Sequence, residues 1–111
     1  MEDKHYVKEL LGKCKSVPLL SKEEERILLK NRNDPEARQK LLDANMRFVL
    51  RIALQFKGKA SMPVLVEAGK KGLAEAIEKY DCEKKRIGFI SYAVWWIRAM
   101  VITVIPKGVI K

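Results

Sequence analysis

The sequence contains very little histidine and cysteine, the residues that most metal centres and many catalytic sites need. His5 is its single histidine, and Cys14 and Cys82 lie far apart with no Cys-x-x-Cys spacing. A zinc site or a disulfide framework is therefore not indicated, and the pattern is typical of a reducing, cytoplasmic setting. A glycine-rich phosphate loop and a convergent pair of acids are also missing, so we expect no metal, no cofactor and no enzymatic activity.

Long apolar runs are scarce as well. The first residues, Met-Glu-Asp-Lys-His, lack the basic-then-apolar order of a signal peptide. The most apolar stretch, residues 87 to 105, carries Arg98 near its centre and falls short of the roughly 20 apolar residues that a membrane span requires. We therefore expect a cytoplasmic protein that has no membrane partner.

Acidic residues are the third shortage. The 111 residues include 14 aspartates and glutamates against 23 lysines and arginines, which gives a formal net charge of +9. Such an excess favours a polyanionic partner, nucleic acid before an anionic membrane, because it raises both the encounter rate and the non-specific affinity. The length corresponds to one domain with a single core.

Apolar residues recur at helical spacing along most of the chain. We predict helices over residues 2 to 15, from a capping box at 21 to about 31, from 35 to about 57, from 63 to about 80, and from about 89 to 105. Gly58 is expected to end the third of these helices, and Ser91 or a neighbour to cap the last. The predicted fold class is all-α, a compact multi-helix bundle.

Two features of these helices bear on packing. Ile27 and Leu28 are expected to face inward on the second helix. Gly69 and Gly72 are costly within a helix, about 1 kcal/mol each relative to alanine, so we expect another backbone to pack closely beside them.

The stretch from Phe89 to Arg98, which reads Phe-Ile-Ser-Tyr-Ala-Val-Trp-Trp-Ile-Arg, holds both tryptophans of the chain. At helical spacing Tyr92 and Trp96 share one face, Trp95 flanks them, and Arg98 follows. Flat rings beside a cation suit stacking on nucleobases, because every base has a π-face and arginine can hold the adjoining phosphate. The alternative is that these rings form part of the core.

This ten-residue string resembles the promoter-melting segment of the sigma-70 family of bacterial RNA polymerase initiation factors. The resemblance covers roughly residues 19 to 105 and implies a domain similar to sigma regions 1.2 and 2, over residues 19 to 111. Residues 1 to 18 would be an N-terminal helix and linker. The sequence shows no likeness to the later sigma regions 3 and 4.

The resemblance implies that the chain binds the non-template strand of a promoter −10 element. In the family the tyrosine stacks on a flipped adenine and the tryptophan pair wedges at the fork between double-stranded and single-stranded DNA. The candidate DNA-binding residues are Tyr92, Trp95, Trp96, Arg98, Tyr80, Asn45, Lys84, Lys85 and Arg86.

Several of these candidates have alternative interpretations. Arg98 would either hold a phosphate or act as a structural cation. Asn45 lies in a string that resembles region 2.1 and would either line a pocket for a flipped base or be a plain exposed asparagine. The three cations from Lys84 to Arg86 would either position the DNA backbone or form a solvated loop.

Residues 67 to 81 are similar to sigma region 2.2, which docks on the clamp of the largest polymerase subunit. The resemblance implies that polymerase contacts come from Leu65, Glu67, Lys70 and Leu73. The family usually has outward-facing acids at the positions of Val64 and Ala68, so we expect docking to be weakened or altered. It also has a glutamine, a threonine and an arginine at the positions of Ala99, Ile102 and Thr103, so reading of duplex bases should be reduced.

These features together predict a DNA-binding domain that recognises and melts the −10 element and docks on RNA polymerase in transcription initiation. An anti-sigma protein is a further candidate partner. The alternative is a degenerate sigma-like interaction module that binds polymerase, a regulator or a second copy without melting DNA. The apolar stretch from Val101 to Ile105 motivates this alternative, because it would otherwise leave an exposed apolar patch.

Overall fold

The computed structural model describes residues 2–83 and 87–107, and in this part of the chain it contains five helices and no strand. The helices are α1 (Glu2–Ser16), α2 (Lys22–Lys30), α3 (Pro35–Gln55), α4 (Met62–Lys79) and α5 (Phe89–Thr103). The all-α prediction is therefore confirmed. None of these helices is both long enough and apolar enough to cross a membrane.

The helix ends follow from local side-chain chemistry. At the start of α2 the Ser21 hydroxyl accepts from the Glu24 N–H at 3.1 Å, and the Glu24 carboxylate accepts from the Ser21 N–H at 2.8 Å. This is the predicted capping box. After α3, Gly58 has a φ of 90°, a conformation that favours glycine. The prediction that Ser91 or a neighbour caps α5 was wrong. Gly88 is the residue that precedes the helix, no side chain caps it, and Ser91 lies within its first turn.

The core lies between α3, α4 and α5, with α4 packed against both of the others. Helices α1 and α2 cover α3, and α1 also contacts α4. The largest side chains in the core that are fully buried are Leu41, Val49, Met62, Leu65, Val66, Leu73, Ile77, Phe89, Ile97 and Val101.

The expectation that Ile27 faces inward was wrong. Its side chain is exposed, Leu28 is half-buried, and Leu29 supplies the buried contact of α2. The reason is geometric, because α2 has nine residues and packs chiefly on α3, so only a narrow edge of it is covered.

The closest approach between helices occurs at Gly72 of α4. A Cβ atom added there would lie 2.5 Å from the carbonyl oxygen of Trp96 and 2.8 Å from the Cα of Ile97. The prediction that another backbone packs beside this glycine is confirmed. At Gly69 the neighbours are side chains instead, with Val49 of α3 nearest at 2.9 Å. The small residues of α4 therefore let α5 and α3 pack against it at short range.

Polar contacts hold α1 at both of its ends. Near its start, Asp3 accepts from the N–H of Met62, the first residue of α4, at 3.1 Å. At its other end, Arg47 of α3 donates to the carbonyl of Cys14 in the last turn of α1, at 3.3 Å, and to the carbonyl of Val17 just after the helix. Burial raises the pKa of the Cys14 thiol, and the nearby Arg47 opposes the shift.

We expect Gly72→Ala to lower the free energy of unfolding by about 2 to 3 kcal/mol, because the new methyl group overlaps the backbone of α5. Gly12→Ala is the matched control, since no atom lies within 4 Å of a Cβ at that position of α1. It should leave stability unchanged or raise it by up to about 1 kcal/mol. Urea denaturation followed by circular dichroism measures both, and equal effects would contradict the close approach.

We expect Asp3→Ala to lower the free energy of unfolding by about 1 kcal/mol, because the first N–H of α4 then loses its acceptor. Asp3→Asn keeps a carbonyl oxygen that can accept the same bond and should retain most of the stability. Urea denaturation again gives the comparison. If both variants lost the same amount, the effect would belong to the negative charge at the start of α1 and not to the bond with Met62.

Candidate nucleic-acid interface

Tyr80 joins the end of α4 to the start of α5. It is the residue that ends α4, and its ring centroid lies 5.4 Å from that of Phe89 and 5.4 Å from that of Tyr92. Its hydroxyl donates to the carbonyl of Ile87 at 2.7 Å, and its own carbonyl accepts from Arg32 at 2.7 Å. Tyr80 is half-buried, and both its hydroxyl and its carbonyl are hydrogen-bonded. Its ring is therefore held in place and supports the rings of Phe89 and Tyr92.

The two tryptophans lie further along α5. Their ring centroids are 5.3 Å apart and the planes are nearly perpendicular, at 88°. Trp95 is 63% exposed, while Trp96 is half-buried. The ammonium group of Lys79 lies 5.2 Å from the Trp96 ring and 3.3 Å from the carboxylate of Glu75. A cation therefore accompanies a reachable pair of rings.

We call Tyr80, Phe89, Tyr92, Trp95 and Trp96 the aromatic cluster. Phe89 is buried, Tyr80, Tyr92 and Trp96 are half-buried, and Trp95 is exposed. The rings are therefore neither all in the core nor all available for stacking. One edge of the cluster lies in the core and the other lies at the surface. That arrangement fixes the rings while leaving faces on which an unpaired base can stack.

Arg98 lies on the same helix and is exposed. Among the described residues it takes part in no hydrogen bond or ion pair, so the geometry does not support a structural role. No acidic residue occurs in α5, where Arg98 is the one charged side chain. Its guanidinium is therefore available to an anionic group such as a phosphate.

The structure corrects the expectations for Asn45. Its side chain is only 4% exposed, and its amide donates to the carbonyl of Leu41, one turn earlier in α3, at 2.8 Å. A side-chain bond to the carbonyl one turn earlier gives a polar group on an inward helix face a hydrogen-bond partner. Asn45 is thus neither an exposed residue nor open to a base in this conformation.

The expected polymerase-binding residues divide between core and surface. Leu65 and Leu73 are fully buried, so contact with a partner through these side chains is excluded and their role is packing. Glu67 and Lys70 are exposed. Ala68 is 5% exposed, so the expectation that its position faces outward was wrong as well. The inward stripe of α4 therefore continues through this position.

The remaining candidates are distributed as follows. Lys84, Lys85 and Arg86 lie outside the described residues. In the last turns of α5, Ala99 is half-buried, Ile102 is exposed, and the Thr103 hydroxyl donates to the carbonyl of Met100 at 2.6 Å. No group of three or more histidine, cysteine or acidic side chains in residues 2–83 and 87–107 could hold a metal ion.

Sequence reasoning missed Lys79. Its position at the end of α4, next to Tyr80, could have indicated a place near the α5 rings. In an antiparallel pair of helices, the end of the first helix lies near the start of the second. Lys79 was assigned no role from the sequence. In the structure it lies over the face of Trp96.

The fold and this surface define a small all-α domain that carries an aromatic, cation-flanked cluster at one end. No family model matches the chain. It is 46% identical over 97 residues to the RNA polymerase sigma factor SigA of Clostridium acetobutylicum, a match that covers 84% of this chain and 24% of that protein. The chain belongs to the sigma-70 family of RNA polymerase sigma factors.

Two further relatives are also similar over most of this chain and over only a part of their own length. The RNA polymerase sigma factor RpoH of Caulobacter vibrioides is 36% identical over 98 residues, covering 82% of this chain and 32% of that protein. The RNA polymerase sigma-C factor of Myxococcus xanthus is 37% identical over 101 residues, covering 88% of this chain and 34% of that protein. The chain thus spans about a quarter to a third of the length of these relatives.

We expect Tyr80→Phe to lower the free energy of unfolding by about 1 kcal/mol at neutral pH, because the bond to the Ile87 carbonyl is lost. Tyr92→Phe is the matched control, since no hydrogen bond from the Tyr92 hydroxyl occurs among the described residues. Urea denaturation measures both variants. Equal stability in the two variants would contradict a bracing role for the Tyr80 hydroxyl.

The surroundings of the Tyr80 hydroxyl also predict a pH dependence of stability. Burial, and then the charges of neighbouring groups such as Cys82 and Glu25, raise the pKa of Tyr80 above its ordinary value of 10.0. The folded state therefore holds this proton more tightly than the unfolded state. The resulting contribution to stability is complete below the ordinary pKa and is lost as the pH rises through the raised pKa. This loss should be smaller in Tyr80→Phe than in the parent protein.

Proposed function

We propose that this chain is a promoter-recognition domain that binds the −10 element, captures bases of the non-template strand and docks on RNA polymerase during transcription initiation. The relatives are RNA polymerase sigma factors, which supports the general role. The observation that carries the specific proposal is the exposed ring of Trp95, held at right angles to Trp96 beside the cation of Lys79.

The energetics of base capture are consistent with this surface. Unpairing and unstacking a base costs a few kcal/mol. Stacking on an aromatic side chain returns about 1 to 3 kcal/mol per base. Tyr92, Trp95 and Trp96 together offer faces for two or three bases, and Arg98 and Lys79 can contact the phosphates between them. Binding therefore offsets the opening of a short stretch without any covalent chemistry.

Polymerase docking is the second part of the proposal. Glu67 and Lys70 are the exposed members of the set that the resemblance assigns to it. They present one charge of each sign, and Val64 supplies an apolar side chain in the same region of α4. A contact of this composition should be weaker than one made by several acids against a basic partner. Co-elution of the chain with core polymerase tests it separately from DNA binding.

A second candidate function is an interaction module that binds polymerase, an anti-sigma protein or a second copy without melting DNA. The observation that favours it is the exposure of Val64, Ile102 and Val104, three large apolar side chains on α4 and at the end of α5. An exposed apolar group of this kind often marks a protein contact.

We expect Trp95→Ala to weaken binding of a single-stranded oligonucleotide with a TATAAT-like element by about 5- to 150-fold, because a stacking face worth about 1 to 3 kcal/mol is removed. Trp95→Phe should recover part of the affinity, since it restores a flat ring. Fluorescence anisotropy of a labelled oligonucleotide measures binding without relying on the substituted tryptophan. Trp95 is exposed, so its replacement should leave the fold intact.

Two controls separate stacking from charge. Ile27→Ala removes an exposed apolar side chain that is not a member of the aromatic cluster and should leave affinity unchanged. A scrambled strand of the same composition should bind more weakly than the TATAAT-like strand. If the parent protein bound both strands equally, with strong salt dependence and no effect of Trp95→Ala or Tyr92→Ala, the interaction module would be the better description.

A further inference from the structure

Tyr80 is held by a contact from outside the α4–α5 pair. Its carbonyl accepts a hydrogen bond from the guanidinium of Arg32 at 2.7 Å, and Arg32 lies in the turn between α2 and α3. The two residues are 48 positions apart, so this bond joins distant parts of the chain. The proposed function uses the aromatic cluster and assigns no role to Arg32.

Arg32 supplies a donor at the point where α4 ends. Tyr80 follows the last residue of α4 with an extended backbone, φ −65° and ψ 128°, and carbonyl groups at the end of a helix lack donors from their own helix. A charged donor makes a stronger bond than a neutral one, and the planar guanidinium makes it directional. Because Arg32 is half-buried, water competes less for this bond.

A second arginine attaches the same turn to α4. The Nε of Arg38, near the start of α3, donates to the carbonyl of Arg32 at 3.2 Å. A terminal nitrogen of Arg38 donates to the carboxylate of Glu78 at 2.7 Å, and Glu78 lies two residues before Tyr80. The turn between α2 and α3 is therefore attached to the end of α4 at both Glu78 and Tyr80.

The three polar groups of Tyr80 are all bonded, and each bond has a different effect. The N–H donates to the carbonyl of Ala76 at 2.9 Å, which continues the pattern of α4. The hydroxyl donates to the carbonyl of Ile87, which spans the connection to α5. The bond from Arg32 orients the peptide plane after Tyr80 and so fixes the direction in which the chain leaves α4. Without it, the Tyr80 ring could shift relative to its neighbour Tyr92, whose ring lies 5.4 Å away.

We propose that Arg32 is a positioning residue for base capture, which acts through the Tyr80 carbonyl and does not contact the bound strand. It holds the Tyr80 ring as a fixed neighbour of Tyr92, so the face of Tyr92 is presented in one orientation. A ring that is already oriented loses less conformational freedom when a base stacks on it. This inference rests on the proposed function, because it concerns the same aromatic cluster.

The first test compares Arg32→Met with Lys30→Met. Both variants remove one positive charge and keep an apolar stem, and Lys30 is an exposed residue at the end of α2. Anisotropy of the TATAAT-like single strand should show that Arg32→Met lowers affinity by about three- to tenfold and Lys30→Met by less than about twofold. Equal losses in the two variants would mean that only the net charge matters and would overturn the proposal. Urea denaturation verifies that both variants are folded in the assay.

The salt dependence of binding separates positioning from a direct phosphate contact. A cation that binds a phosphate of a single strand contributes about 0.7 to the slope of log affinity against log salt concentration. Arg32→Met should leave this slope unchanged. A slope that falls by about 0.7 would show that Arg32 itself holds a phosphate, which contradicts the proposal.

Variants of Tyr92 test whether the effect of Arg32 passes through this ring. In a Tyr92→Ala background Arg32→Met should cause less than about twofold further loss of affinity, whereas in Tyr92→Phe, which keeps the ring, the full loss should remain. The same loss in both backgrounds would show that Arg32 acts by another route. In the free protein, the ring-proton chemical shifts of Tyr92 should change in Arg32→Met and not in Lys30→Met, and lower stability by itself would not move them.

A second pair of variants tests the attachment if Arg32→Met does not fold. Glu78→Ala removes the acceptor of Arg38, whereas Glu36→Ala removes an exposed acid from the first turn of α3. Loss of an acid should by itself strengthen binding to a polyanion, and this gain is common to both variants. Glu78→Ala should therefore bind the strand about twofold or more weakly than Glu36→Ala, because it also loosens the turn. Equal affinities would overturn the proposal.

The outcomes distinguish this inference from the proposed function. If Trp95→Ala weakens binding and Arg32→Met does not, the aromatic cluster captures bases without Arg32, and only the inference is wrong. If Trp95→Ala has no effect and the parent protein binds the scrambled strand equally well, the proposed function is wrong and the inference fails with it.

Discussion

The contact between Gly72 and the backbone of α5 is the constraint on which the other features depend. Because glycine has no side chain, Trp96 and Ile97 pack directly on α4. This short separation brings Lys79 over Trp96 and places Tyr80 between Phe89 and Tyr92. Gly69, one turn earlier, lets Val49 of α3 reach the same seam. The rings at the surface are therefore held in place by a backbone contact in the interior.

The two ends of the α4–α5 pair have different chemistry. One end carries aromatic rings with Lys79 and Arg98 nearby, which is a surface for a strand of bases and phosphates. The other end carries the apolar side chains of Val64, Met100 and Val104 beside one acid, Glu67, and one base, Lys71. Burial of Ile97 and Val101 between the ends joins them into one rigid element. A partner at either end would therefore contact the same helix pair.

Much of the fold could be predicted from local patterns in the sequence. The capping box at Ser21, Pro35 at the start of α3 and Gly58 after it are decided within a few residues, so they could be predicted from the chain alone. Gly72 could be predicted because glycine is costly within a helix. The burial of Asn45 could not, since it depends on which side of α3 the other helices cover.

The candidate site was less predictable from the sequence, because it too depends on how the helices pack against one another. The resemblance identified Tyr92, Trp95 and Trp96, but the exposure of each ring depends on the rotation of α5 about its axis. Leu65 and Leu73 showed helical spacing typical of a core face, and assigning them to a partner surface conflicted with that pattern. Lys79 acquires its position from the packing of two helices, which no short stretch of sequence records.

The attachment of α1 has a consequence for local opening. Two polar contacts hold this helix at opposite ends: Asp3 of α1 accepts from Met62 of α4, and Arg47 of α3 donates to the Val17 carbonyl just after α1. Between these contacts Val7 and Leu10 are only half-buried. Water can replace such polar bonds at modest cost, so α1 should detach as one unit well before the three central helices separate. Because α1 borders the depression beside Glu67 and Lys70, its detachment would widen access to that face of α4 without unfolding the core.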